Sequence, residues 1–284
     1  MKTETSEQWT SVILPKVGWF DVDFKELWRY KDFILLFVRR DFVAIYKQTI
    51  LGPLWFIIQP LLTTIMFTIV FGNIAKISTD GLPKMLFYLS GTVTWSYFVS
   101  CLNSTSDTFI ANAEIFGKVY FPRLAVPISI VISNLISYGL QFAFFLCFLT
   151  YYLILRSDIH PNLTILLTPV LLVIMAGLGL GLGIIISSLT TKYRDLRFLI
   201  TFGVQLFMYA TPVVYPVSVV PDKYKPFILA NPMTPIIETF RYAYLGNGAF
   251  SWSYLGLSAA TTIVILFIGL MMFGRVEKTF MDTV

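Results

Sequence analysis

Six apolar stretches, at residues 54–75, 85–104, 125–153, 164–188, 197–216 and 254–273, decide what this chain can fold into. Each is close to the roughly 20 residues that carry a helix across the ~30 Å hydrocarbon layer of a bilayer. So much apolar surface cannot be hidden in one water-soluble core. Charged residues make up 13% of the chain and hydrophobic residues 56%, with a mean hydropathy of +0.75, whereas soluble domains carry about 25% charged residues. The expected fold class is an all-α integral membrane protein with six transmembrane helices. Pro60, Pro127, Pro169 and Pro212 fall within these stretches, where neighbouring helices can satisfy the backbone groups a proline frees. Kinks are expected at those positions.

The charged residues mark the loops and set the orientation. With both termini on the cytoplasmic side, 15 of the 21 Lys and Arg residues lie inside, which predicts an N-in, C-in topology. The formal charge of +5 is spread over short loops rather than along one helix face, so no nucleic-acid partner is expected. Residues 1–23 lack the apolar core and small-residue cleavage site of a secretory leader, and no processing is expected. Cys101 and Cys147 sit inside apolar stretches and read as packing residues.

Before the first span, residues 24–50 place Phe24, Leu27, Trp28, Leu35, Val38, Phe42, Ile45 and Tyr46 near helical spacing, with Lys25, Arg29, Asp32, Arg39 and Lys47 between them. This predicts an amphipathic helix lying in the inner interface, either as a surface anchor or as a moving, docking element. The run FILLFV at 33–38 is too short to cross the membrane. Between spans five and six, Pro216, Pro221, Pro226, Pro232 and Pro235 punctuate short apolar pieces, which predicts short re-entrant helices at the outer side. Within them Glu238 and Arg241 stand three apart and are expected to pair on one helical face.

Catalytic constellations are scarce. His160 is the single histidine, and no GxxxxGK[ST] phosphate loop occurs, so no cofactor or metal is expected in this chain. Gly177, Gly179, Gly181 and Gly183 lie mid-span with no strand before them, which favours close helix packing over a nucleotide fingerprint. Two inner loops remain informative: STSDTFIANAEIFGKVYFPR at 104–123, with a short helix ending near Gly117, and LTTKYRDLRF at 189–198. Each is either a docking element or a plain interfacial loop.

Four blocks then carry a resemblance over nearly the whole chain: ELWRYKDFILLFVRRDFVAIYKQTILGPLWFIIQP at 26–60, GKVYFPRLAVP at 117–127, YRDLRF at 193–198 and TPVVYPVSVVPDKYKPFILANPMTPIIETFR at 211–241. In these the sequence resembles the membrane permease subunits of bacterial ABC transporters that export O-antigen and related cell-surface polysaccharides. It departs from that pattern at Ala44, where a basic residue is expected two before Tyr46.

The resemblance implies a gate helix at 24–50, with Trp28, Arg39, Arg40 and Tyr46 as its candidate residues, within a cytoplasmic segment 1–53. A six-helix permease domain at 54–274 and a cytoplasmic tail at 275–284 would follow. It also implies an ATPase-coupling helix near 105–122, with Asn112, Glu114, Phe116, Gly117 and Lys118 as candidates. ATP and Mg would bind a separate ATPase present in two copies, beside a second copy of this chain, in the bacterial inner membrane. The substrate would be a lipid-linked polysaccharide. Trp55, Phe71, Trp95, Tyr97, Tyr209 and Tyr215 are candidates for lining its path, because aromatic faces suit sugar rings. A teichoic-acid or smaller-substrate exporter of the same architecture is the nearest alternative, and a membrane-embedded glycosyltransferase is the alternative from another class.

Overall fold

The computed structural model describes residues 24–47, 50–116, 118, 121–155, 159–193 and 195–283, with the backbone alone at 24, 26, 45, 46, 199 and 277–283. Two helices, α1 (Phe24–Arg29) and α2 (Lys31–Lys47), precede the membrane part, so the expected amphipathic helix is present with a break at Tyr30. α3 (Trp55–Phe67) continues into π-helical turns over Thr68–Ile74. It is followed by α4 (Lys84–Ser106), the short α5 (Thr108–Ala111) and α6 (Ala113–Phe116), and then α7 (Ala125–Ile154) and α8 (Thr168–Thr190). α9 (Leu196–Tyr209), α10 (Lys225–Ala230), α11 (Met233–Leu245) and α12 (Trp252–Thr283) complete the bundle. α12 runs unbroken past residue 275, so the stretch expected as a tail extends the last helix.

Among the described residues, five helical stretches are long and apolar enough to cross a membrane: Gly52–Ile74, Lys84–Ser106, Ala125–Ile154, Leu163–Thr190 and Trp252–Val276. The crossing expected at 197–216 is different. α9 has 14 residues, about 21 Å at 1.5 Å per residue, short of the ~30 Å hydrocarbon layer. It stops because Pro212 restricts the residue before it and has no N–H to donate. Of the other prolines only Pro60 lies inside a helix. Pro127 and Pro169 occupy the first turns of α7 and α8, where they do not kink the axis.

Hydropathy and burial are opposed between α3 and α4. The α3 stretch has a mean hydropathy of 2.0 and is 11% buried, whereas α4 has 1.2 and is 78% buried. Lipid accepts only apolar side chains, but a helix wrapped by other helices can carry hydroxyls that bond to its own backbone. α4 does this: Ser90 donates to the Phe87 carbonyl at 2.7 Å, Thr94 to Ser90 at 2.7 Å, and Thr92 to Leu89 at 3.1 Å. α4 therefore forms the centre, with α3, α7, α8 and α11 against it.

The glycines of α8 show why it fits between two partners. Gly179 and Gly183 face α4, where an added Cβ would lie 2.7 Å from Cys101 Cβ and 2.6 Å from Thr105 Cβ. Gly177 and Gly181 face α12, where it would lie 2.8 Å from Thr262 Cγ2 and 2.9 Å from Ile265 Cγ2. Residues four apart share a helix face and residues two apart lie on nearly opposite faces. The alternating glycines are thus two small-xxx-small surfaces set back to back, as the sequence led one to expect. Cys101 is a free, buried thiol in this contact, while the free Cys147 is exposed on α7.

Candidate functional site

One end of the bundle gathers the amphipathic helix and the loop between α4 and α7 into a single aromatic cluster. Ile34 and Phe37 of α2 are buried with Phe109, Phe116, Phe121, Ala125, Val126, Ile184 and Phe273. Phe33 lies 4.6 Å from Phe121 between ring centroids, and Phe109 stacks on Phe273 at 4.6 Å. The gate-helix and coupling-helix candidates, read from separate parts of the sequence, therefore form one packed unit. Its anchors Phe33, Ile34 and Phe37 were the residues not singled out, although their i, i+1, i+4 spacing within FILLFV carried the signal.

The loop expected to hold one coupling helix carries two short helices, with Asn112 between them. Asn112 is buried, its Nδ2 donates to the Thr108 carbonyl at 3.0 Å, and its own carbonyl accepts from the backbone N–H of Phe116 at 3.0 Å. Phe116 is buried between Phe109 and Phe121 at 6.0 and 5.7 Å. These two candidates shape the loop from inside. Glu114 and Lys118 face outward, their side chains 92% and 75% exposed and 3.8 Å apart. Gly117 lies outside the described residues.

Trp28 on α1 and Arg39 and Arg40 on α2 are all exposed, and Arg40 lies 4.2 Å over the Phe37 ring while bonding Asp41 at 2.8 Å. The Tyr46 side chain lies outside the described part.

The six aromatic candidates separate. Trp95 and Tyr97 are buried in the core, Trp95 against Phe98 and Phe207 at 5.4 and 5.8 Å and Tyr97 against Tyr138 at 5.2 Å. Phe71 packs on the core margin beside Phe67 at 5.5 Å. Trp55 and Tyr209 are exposed, and the Tyr215 hydroxyl donates to the Tyr209 carbonyl at 3.1 Å. Tyr209 and Tyr215 are thus brought together, whereas Trp95 and Tyr97 present no ring outside the chain.

At the opposite end the expected Glu238–Arg241 pair is present at 3.3 Å, with both side chains almost completely buried. The guanidinium does more than pair. Its Nη1 donates to the Pro212 carbonyl at 2.6 Å and its Nη2 to the Val213 carbonyl at 2.7 Å. Those carbonyls belong to the turn where α9 has ended, so the arginine satisfies acceptors that the lost helix leaves unpaired. It also lies 3.8 Å over the Phe87 ring of α4. Room for it comes from Gly91, where a Cβ would stand 2.9 Å from Nη2.

Glu238 uses its other oxygen to accept the Ala249 N–H at 2.9 Å, which fastens the loop after α11. Gly246, at φ +77°, ends α11 in the left-handed conformation and packs against the His160 backbone. Asp80 completes the knot, accepting from Ser218 Oγ at 2.8 Å on its carboxylate and from Asn247 Nδ2 at 2.7 Å on its carbonyl. Four separate chain segments are tied here by polar contacts.

A chain of this kind has near relatives by sequence. It is 27% identical over 252 residues to the O-antigen export system permease protein RfbA of Klebsiella pneumoniae, covering 88% of this chain and 94% of the relative. To the protein of the same name from Myxococcus xanthus it is 24% identical over 262 residues, 92% and 98% of the two chains. To the polysialic acid transport protein KpsM of Escherichia coli it is 25% identical over 240 residues, 82% and 89%. The family model for ABC-2 type transporters matches residues 33–245, from the amphipathic helix to the end of the buried helix α11. With several helices built for lipid and that match across most of its length, the chain is a multi-pass membrane protein of the ABC-2 type transporter family.

Proposed function

We infer that this chain is the membrane subunit of an ATP-driven exporter that carries lipid-linked O-antigen, or a related surface polysaccharide, from the inner to the outer side of the bacterial inner membrane. What supports this reading is the docking end. An outward-facing Glu114–Lys118 pair sits on a loop whose inner face is locked by Phe109 and Phe116 to α2, α8 and α12. A partner that moves this loop moves helices. The partner is a separate ATPase in two copies, carrying ATP and Mg, on two copies of this chain.

In this reading α9 and the turn after it make the sixth crossing, with N-in, C-in topology. Residues 1–53 form the cytoplasmic segment with the gate helix, 54–274 the six-helix permease domain, and 275–284 the cytoplasmic C-terminal tail. Closure of the ATPase dimer on ATP displaces the docking loop and α2 together, and the two permeases shift between two packed arrangements. Trp55, Tyr209 and Tyr215, which keep exposed or partly exposed rings, are the lining candidates among the aromatics.

The test is glycan transport and ATP hydrolysis in vesicles holding this chain and its ATPase, against a Glu114→Ala, Lys118→Ala variant. An ion pair this exposed contributes only about 0–1 kcal/mol to folding, so the variant is expected to keep its thermal midpoint. Transport-coupled hydrolysis is expected to fall by roughly tenfold, equivalent to ~1.4 kcal/mol of docking free energy. If no ATPase co-purifies with the intact chain, or the chain alone processes lipid-linked sugars, the exporter reading is wrong.

A further inference from the structure

The docking loop has a third fastening, an ion pair at the foot of α9. Asp107, the residue that closes α4, bonds Arg197 in the first turn of α9 at 2.8 Å, 90 residues away in sequence. Local propensity does not account for that arginine. A cation in the first turn of a helix stands at the unfavourable end of the helix dipole, and Asp107 supplies the carboxylate that offsets it. Nor is the pair a folding determinant. Its side chains are 57% and 31% exposed, and such pairs contribute about 0–1 kcal/mol.

What the pair does is join two bodies that are otherwise attached differently. The loop after Asp107 is bound to the tightly packed helices, through the Phe109 N–H on Ser187 Oγ at 3.3 Å and the Phe109 ring on Phe273. α9, by contrast, leans on the core with one face, through Ile200, Val204, Phe207 and Met208, and leaves Phe198, Phe202, Leu206 and Tyr209 exposed. Its far end runs into the turn whose Pro212 and Val213 carbonyls are gripped by Arg241. α9 is thus a strut with an ionic foot at the docking loop and a buried arginine head at the re-entrant hairpin.

We propose that Asp107 and Arg197 are positioning residues that transmit displacement of the docking loop to α9, and through α9 to the Arg241-held hairpin at the opposite end. This rests on the exporter reading above and adds the route within the chain. An ionic contact at the aqueous end suits the role, because it can be remade after a small sliding movement, which interlocked apolar side chains resist.

Three variants in the complete transporter test it: D107N, R197Q and the exchanged pair D107R with R197D. The readout is glycan moved per ATP hydrolysed in vesicles, with co-purification of the ATPase and the thermal midpoint measured alongside. Each single variant is expected to keep the midpoint and the ATPase while transport per ATP falls about fivefold, ~1 kcal/mol by the tenfold-per-1.4 kcal/mol relation. The exchanged pair is expected to recover at least half of it. Wild-type coupling in the single variants, or no recovery in the exchange, overturns the proposal. A merely structural role would instead lower the midpoint together with transport. Failure of the exporter reading registers separately, as a wild-type chain that brings down no ATPase.

Discussion

Replacing Arg241 by methionine is expected to cost about 3–5 kcal/mol and to release the α10–α11 hairpin from α4. The estimate follows from what is left behind when one partner of a buried pair is removed. Glu238 would retain a buried carboxylate with only the Ala249 N–H on it, and the Pro212 and Val213 carbonyls would lose their donors. Lysine should not rescue the change, since an ammonium cannot span two carbonyls with the planar fork of a guanidinium. Removing both charges, with Glu238→Gln beside Arg241→Met, should recover part of the loss, because replacing a whole buried pair costs far less than breaking it. Thermal unfolding in detergent, with trypsin cleavage after Lys223 as a local probe, measures the effect. A variant with an unchanged midpoint and cleavage pattern would show that the guanidinium holds nothing.

The second large effect is expected at Gly183 and Gly181. Alanine at either position places a methyl group against backbone as well as side chain, 3.0 Å from the Leu102 carbonyl in one case and 3.0 Å from the Leu266 nitrogen in the other. Backbone cannot swing aside, so each substitution should cost about 1–3 kcal/mol, the usual range for overpacking. Leucine at Gly183 should leave little folded protein at all. Gly203 and Gly139 provide the controls, because a Cβ there meets nothing within 4 Å. Alanine at those two positions should be neutral or slightly stabilising, since glycine is the poorer helix former. The folded fraction recovered by size exclusion separates the two groups, and equal losses at all four positions would refute the packing argument.

How much of this was legible in the sequence depends on the range of the interaction. Five of the six apolar runs, the glycine alternation and the Glu238–Arg241 spacing are local patterns that emerged in the structure as read. The Arg241 contacts to Pro212 and Val213 could not be read, because a main-chain carbonyl has no residue identity and the partners lie 28 to 29 residues apart. The end of α9 at Tyr209 was partly legible from Pro212, but an apolar run extending beyond it concealed the stop. The aromatic candidates failed to separate for another reason. α4 is buried nearly all round, so no amphipathic pattern tells an inward Trp95 or Tyr97 from an outward ring, and only the packed neighbours do. Asp107 and Arg197 were each ordinary loop charges until the fold placed them side by side.

The back-to-back glycine faces of α8 carry a mechanical consequence. A helix that meets its neighbours through bare backbone on two sides is keyed like a shaft in a slot. Turning it by one residue, about 100°, would drive leucine and isoleucine side chains into gaps that admit only hydrogen atoms. α4, α8 and α12 must therefore turn and translate together, as one rigid block, in any movement the chain makes.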